Sequence, residues 1–128
     1  MKLRLLSIIV LAVTSVCVLA QNPVHWSASA PSVPVKSGQK FTAHVSARTD
    51  PGWHIYSITQ APGGPTATEI TVLPKQPFVL SGPVIGPLPH TSYDSNFQME
   101  TDTYEQAASF KVPLLIAANT PSGPYSVA

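Results

Sequence analysis

The chain has 128 residues, of which 44% are hydrophobic and 10% charged, with a formal net charge of +1. This length accommodates one domain around one core, and so near-neutral a balance carries no electrostatic signature of nucleic-acid or anionic-membrane binding. All fourteen prolines and all seven glycines lie beyond residue 20. That leaves no room there for a long uninterrupted helix, and an all-β domain is expected.

Residues 1–20 read as a cleavable export signal. Lys2 and Arg4 form a positive start, Leu5 to Leu19 is apolar except for Ser7 and Thr14-Ser15, and Val18-Leu19-Ala20 supplies the cleavage site. The apolar run is shorter than the ~20 residues that span a bilayer, and no basic cluster follows it. Cys17 is the only cysteine, and Val16 before it is not the small residue that lipid attachment requires. The domain proper, 21–128, is slightly acidic and has no cysteine. It is destined for a compartment where disulfides persist, yet as written it cannot perform thiol chemistry.

Val24 to Ala28 alternates between Pro23 and Pro31, as an edge strand does, with Trp26 expected to plug the core. Lys36-Ser37-Gly38-Gln39 is a turn. From Lys40 to Arg48, Phe41, Ala43, Val45 and Ala47 alternate with Thr42, His44, Ser46 and Arg48, which gives one core face and one wet face. His44 falls on the wet side. Asp50-Pro51-Gly52 is a tight reversal, predicted to close a hairpin between this strand and a central strand Trp53 to Ile58, with Trp53 buried between sheets. Gly63-Gly64-Pro65 ends that strand.

Thr66 to Leu73 alternates again and is predicted to be a strand. Phe78-Val79-Leu80 is a short apolar run, and Ser81 to Pro89 is a loop that packs through Val84, Ile85 and Leu88. His90 to Thr103 is polar with Tyr93 and Phe97 interspersed. Ala108, Phe110, Val112, Leu114 and Ile116 face one way along a strand that Pro113 assigns to an edge or a bulge. Tyr125 to Ala128 begins a last strand, so the sheet is expected to be incomplete. The histidines at 25, 44, 54 and 90 are scattered singly, and no metal site or cofactor is expected. His90, Ser92 and Asp94 lie close in sequence, but without an oxyanion arrangement they make no case for a hydrolase.

The stretch Asp50-Pro51-Gly52-Trp53-His54-Ile55-Tyr56-Ser57, followed by Gly63-Gly64-Pro65, resembles the amino-terminal periplasmic domain of the DsbD-type thiol:disulfide interchange proteins, the disulfide bond corrector domain. The similarity extends more weakly from about His25-Trp26 to the end of the chain. It implies an immunoglobulin-like β-sandwich, periplasmic, that takes electrons from a membrane-embedded redox domain and passes them to periplasmic thiol-disulfide proteins. In that family a cysteine pair near the carboxyl end does the chemistry under a short cap. The resemblance places the cap at Tyr93, Asp94 and Phe97, and the family motif at Gly52, Trp53, His54, Tyr56, Gly63, Gly64 and Pro65. The pair itself is missing, so no residue of this chain is assigned a catalytic role.

Two functions follow. The chain is the scaffold and cap of a redox module truncated before its cysteines, or it is a non-catalytic immunoglobulin-like binding or structural module of the cell envelope. The export reading makes its own prediction. Secreted material should have an intact mass that begins at Gln21, and a species retaining Cys17, lipidated or not, would overturn it.

Overall fold

The computed structural model describes residues 21–126. Residues 1–20 and Val127-Ala128 lie outside the described residues, and the expected export signal and the second half of the expected last strand lie there with them. Within 21–126 the chain forms β1 (Val24–Ser29), β2 (Lys40–Thr49), β3 (His54–Tyr56), β4 (Phe78–Leu80), β5 (His90–Asp94), β6 (Met99–Glu105) and β7 (Ala107–Ile116). One sheet has the order β1-β2-β7-β4 and the other β3-β6-β5, all pairs antiparallel. The two face each other as an immunoglobulin-like β-sandwich, the all-β fold expected.

Period-2 patterning decides the inner faces. On β2, Ala43 and Ala47 are buried with Phe41 and Val45 partly so, while Lys40, Thr42, His44 and Arg48 are exposed. On β7, Ala108, Phe110, Val112 and Leu114 are all buried. Two clusters result, one of Ala43, Phe78, Val112 and Leu114 and one of Ala47, Tyr104, Ala108 and Phe110, joined by Val45, Ile70 and Val84. The alanines lie opposite larger groups, so the sheets interdigitate. Tyr104 of β6 meets Phe110 of β7 edge-on, with ring centroids 5.5 Å apart, and this contact ties one sheet to the other.

The chain crosses between sheets twice at one end of the sandwich. Asp50-Pro51-Gly52 takes it from β2 to β3, and the single residue Gln106, with φ 64°, takes it from β6 back to β7. The crossings are fastened together: the Thr49 amide donates to the Gln106 carbonyl at 3.0 Å, and the Gln106 amide donates to Thr49 Oγ1 at 2.9 Å. The expected β2–β3 hairpin is therefore absent. The turn switches sheets, β2 pairs with β1 and β7, and β3 is an edge strand on β6 instead of a central one.

Other expectations change for similar reasons. Trp53 closes the turn through its amide to the Asp50 carbonyl at 3.0 Å and lies outside β3, 48% exposed instead of buried between the sheets. Trp26 is on the inner face, 6.3 Å from Phe110, but it stands on edge strand β1 and is also 48% exposed, so it covers the core margin and does not plug it. Pro113 lies inside a sheet, between β2 and β4. Its carbonyl accepts the Ser81 amide at 2.9 Å, and a strand residue aims its N–H to the same side as its C=O, so the missing donor faces the point where β4 has ended. In the loop after β4, Val84 packs into both clusters and Ile85 bridges Lys111, while Ile85 and Leu88 are exposed.

Thr66 to Leu73 is no strand. Thr68, Ile70 and Val72 turn inward and Glu69, Thr71 and Leu73 outward as the alternation requires. The Thr68 amide reaches the Tyr56 carbonyl at 3.3 Å, but among the described residues no backbone hydrogen bond joins 69–73 to a neighbour. Tyr125 and Ser126 likewise belong to no described strand.

A chain of hydroxyls runs inward from the surface at Thr59 to the buried Ser57 and Tyr104. Tyr104 Oη donates to the Pro87 carbonyl at 3.1 Å, so it accepts from Ser57 Oγ at 2.9 Å, which in turn accepts from Thr59 Oγ1 at 2.9 Å. Gly86 lets the loop pass over this point, where a Cβ would lie 2.9 Å from the Tyr104 hydroxyl and 3.1 Å from the Phe110 ring. Tyr104→Phe should cost about 1–3 kcal/mol in denaturant titration, because it strands buried acceptor and donor groups. A loss under ~0.5 kcal/mol would mean that water already reaches this hydroxyl.

Candidate functional site

The polar stretch His90 to Thr103 folds as the β5–β6 hairpin, in which Asp94 pairs with Met99 across a four-residue loop. Asp94 sets the loop, because its Oδ1 accepts the Asn96 amide at 2.8 Å. Gln98 takes φ 55° to return the chain. Phe97 at the tip is 42% exposed and meets Tyr56 edge-on at 6.2 Å. Tyr56 meets His54 edge-on at 5.1 Å. The proposed cap aromatic and two motif residues thus form one aromatic ladder on the outer face of the three-stranded sheet. Phe97 is therefore not an interior residue.

The motif's other residues surround this ladder. The Gly63 and Gly52 backbones take positive φ in turns, and Pro65 is buried. Gly64 abuts the Met99 sulfur so closely that a Cβ there would collide with it. The motif and the base of the cap loop are in this way packed against each other. Tyr93 projects into solvent, and Trp53 stays at the crossing, where the Asp50 amide donates to the Pro23 carbonyl at 2.9 Å and His25 Nε2 lies 3.1 Å from Asp50 Oδ1. The structure does not bring Trp53 or Tyr93 into the ladder.

Sequence reasoning missed what holds β3 beside the hairpin once the short strand ends. The Ser57 amide donates to the Asp102 carbonyl at 2.8 Å, and Gln60 Oε1 accepts the Asp102 amide at 2.7 Å, standing in for the next strand residue. Ser57 and Gln60 are nearly fully buried, and the polar residues Ser57, Thr59 and Gln60 directly after Tyr56 are the only trace of this in the sequence. His54, Ser92, Asp94, Thr101, Thr103 and Glu105 line a shallow polar depression of about 220 Å3 beside the ladder. His90, Ser92 and Asp94 are spread along β5 at every second residue, about 7 Å per step, and do not converge.

The geometry sets the exposed Phe97 of the hairpin tip against Tyr56. Comparison with known proteins agrees with the motif. The family described as thiol:disulfide interchange protein DsbD, N-terminal, matches residues 21–127, and the chain belongs to that family. No curated protein matches the chain, and no solved structure does. Among the described residues no helix is long and apolar enough to cross a membrane.

The Gly64–Met99 contact can be tested by a double-mutant cycle. Gly64→Ala should destabilise by about 1–3 kcal/mol through overpacking, and most of that cost should vanish in a Met99→Ala background. Equal costs in both backgrounds would separate the motif from the loop.

Proposed function

We propose that this family member is a thiol:disulfide interchange module that relays electrons between a membrane-embedded redox domain and periplasmic disulfide proteins, its cysteine pair being carried on sequence that continues past Ala128. The supporting observation is the segment 69–73. Its side chains alternate as in a strand, with Ile70 and Val72 against the core, while its backbone has no partner among the described residues. It forms one wall of an apolar cleft of about 620 Å3, whose other wall includes Trp26, Ala43, Val45, Val112 and Leu114, and Ser126 stands at the cleft. A strand that enters from Ser126 would satisfy the unpaired groups and cover the half-exposed Trp26.

The chemistry of such a pair is balanced within two proteins. One thiolate attacks the partner's disulfide, forming a mixed disulfide and releasing a partner thiolate. The second thiolate of the pair then resolves it, so two electrons pass to the partner, two protons follow through solvent, and the module is left oxidised. Between encounters a low-pKa dithiol would be lost to adventitious oxidants. The Tyr93–Phe97 loop, held by Tyr56, is the lid that prevents this. The leader at 1–20 fits export to the periplasm.

One observation favours a second reading, a non-catalytic binding or structural module of the envelope: the only cysteine is Cys17, in the leader. Thiol labelling with and without reductant on the protein extended by its natural continuation separates the two. The relay reading predicts one reducible disulfide and a thermal midpoint well above that of the 128-residue chain. The absence of any reducible pair would leave the binding module in its place.

A further inference from the structure

The near-neutral total hides a division of charge between the sheets. Strands β1, β2, β4 and β7 contain Lys40, Arg48 and Lys111 and no Asp or Glu, whereas β3, β5 and β6 contain Asp94, Glu100, Asp102 and Glu105 and no Lys or Arg. The inner positions of the first sheet are apolar, so its three cations all stand on its outer face. Register places them in one plane. His44 pairs with Lys111, which is bridged to Ile85; Lys40 pairs with Leu115, which pairs with Val79; Arg48 pairs with His25. Val79 and Ile85 are 54% and 59% exposed, so an apolar margin runs beside the cations.

From this plane we infer that the outer face of the four-stranded sheet docks on an anionic phospholipid surface. The inference rests on the reading of a module that works beside a membrane-embedded partner. Cations bordered by exposed aliphatic side chains match a bilayer interface, where headgroup charge and acyl boundary lie side by side. The opposite sheet, with the aromatic ladder and the cap hairpin, is then turned away from the lipid and left open to soluble partners. Three cations near an anionic surface, at about fivefold each, give roughly a hundredfold preference for anionic over neutral lipid at low salt, and the preference declines as the Debye length shortens.

The test is co-sedimentation of the purified protein with phosphatidylglycerol/phosphatidylcholine vesicles against pure phosphatidylcholine vesicles across a salt series. The inference predicts at least tenfold more binding to the anionic vesicles at low salt. It also predicts that Lys40→Glu/Arg48→Glu/Lys111→Glu abolishes this binding, while Lys36→Glu/Lys75→Glu, which makes charge reversals elsewhere, leaves most of it. Far-UV circular dichroism of both variants confirms that they fold. Equal binding to both lipids, or equal loss in both variants, overturns it. Vesicle-independent self-association that the triple variant abolishes assigns the face to a second copy's acidic sheet, and binding to polyglutamate without binding to vesicles assigns it to an acidic protein. Either outcome overturns the lipid assignment. These variants leave Tyr56, Tyr93 and Phe97 untouched, so the disulfide assay on the extended protein judges the relay reading separately.

Discussion

The hydroxyl of Tyr104 must be satisfied where its ring packs on Phe110 of the facing sheet. Its ring is committed to Phe110, the largest fully buried side chain, and its oxygen is committed to Ser57 and to the Pro87 carbonyl. A buried phenol without partners would cost more than its ring contact returns. The loop before β5 is therefore drawn over the core at Gly86, and the chain after Tyr56 is drawn inward at Ser57. Because Ser57 follows directly on the motif strand, the same network sets where His54 and Tyr56 face, and through Tyr56 where the cap aromatic Phe97 rests. The polar core and the proposed lid belong to one mechanical unit.

That unit closes only one side of the sandwich. Around Tyr104 the sheets are fastened by the paired crossings at Thr49 and Gln106, while toward Phe78 and Leu114 the four-stranded sheet faces the segment 69–73 across the cleft. Ile70 and Val72 line that cleft with their side chains packed and their backbone unpaired. An extended segment in this state is a template for strand addition. A redox strand docked there would be anchored on the same core that anchors the cap. The division of charge between the sheets gives the molecule two chemically different faces, as the proposed relay between a membrane and soluble partners would need.

Strands whose burial follows from their own alternation were legible in the residues. β2 and β7 announce their inner faces, and the short edge strand β1 is marked by its prolines. The motif stretch was legible as a family signature and as a turn, but not as a change of sheet. Nothing local in Asp50-Pro51-Gly52 distinguishes a hairpin from a crossing, because the difference lies in the bonds to Gln106 more than fifty residues away. Trp53 misleads for the same reason: an aromatic next to a strand reads as core until the turn that exposes it is placed. In 66–73 the alternation correctly gave which side chains turn inward, but a strand also needs a backbone neighbour, and that is a non-local fact. The assignment of Tyr93, Asp94 and Phe97 to a cap came only through resemblance. Their contact with Tyr56 and the wedge of Met99 on Gly64 are products of the fold.

Native-state hydrogen exchange on the 128-residue chain tests this account most directly, since it reads backbone pairing residue by residue. The account predicts that the amides of Ser57, Asp102 and Lys111, each bonded to a neighbouring segment of the fold, exchange only through global unfolding, and that those of Ile70, Thr71, Val72 and Leu73 exchange orders of magnitude faster despite the packing of Ile70 and Val72. Protection of 70–73 equal to that of β7 would contradict it, because the edge would already be paired and no strand would remain to be added there.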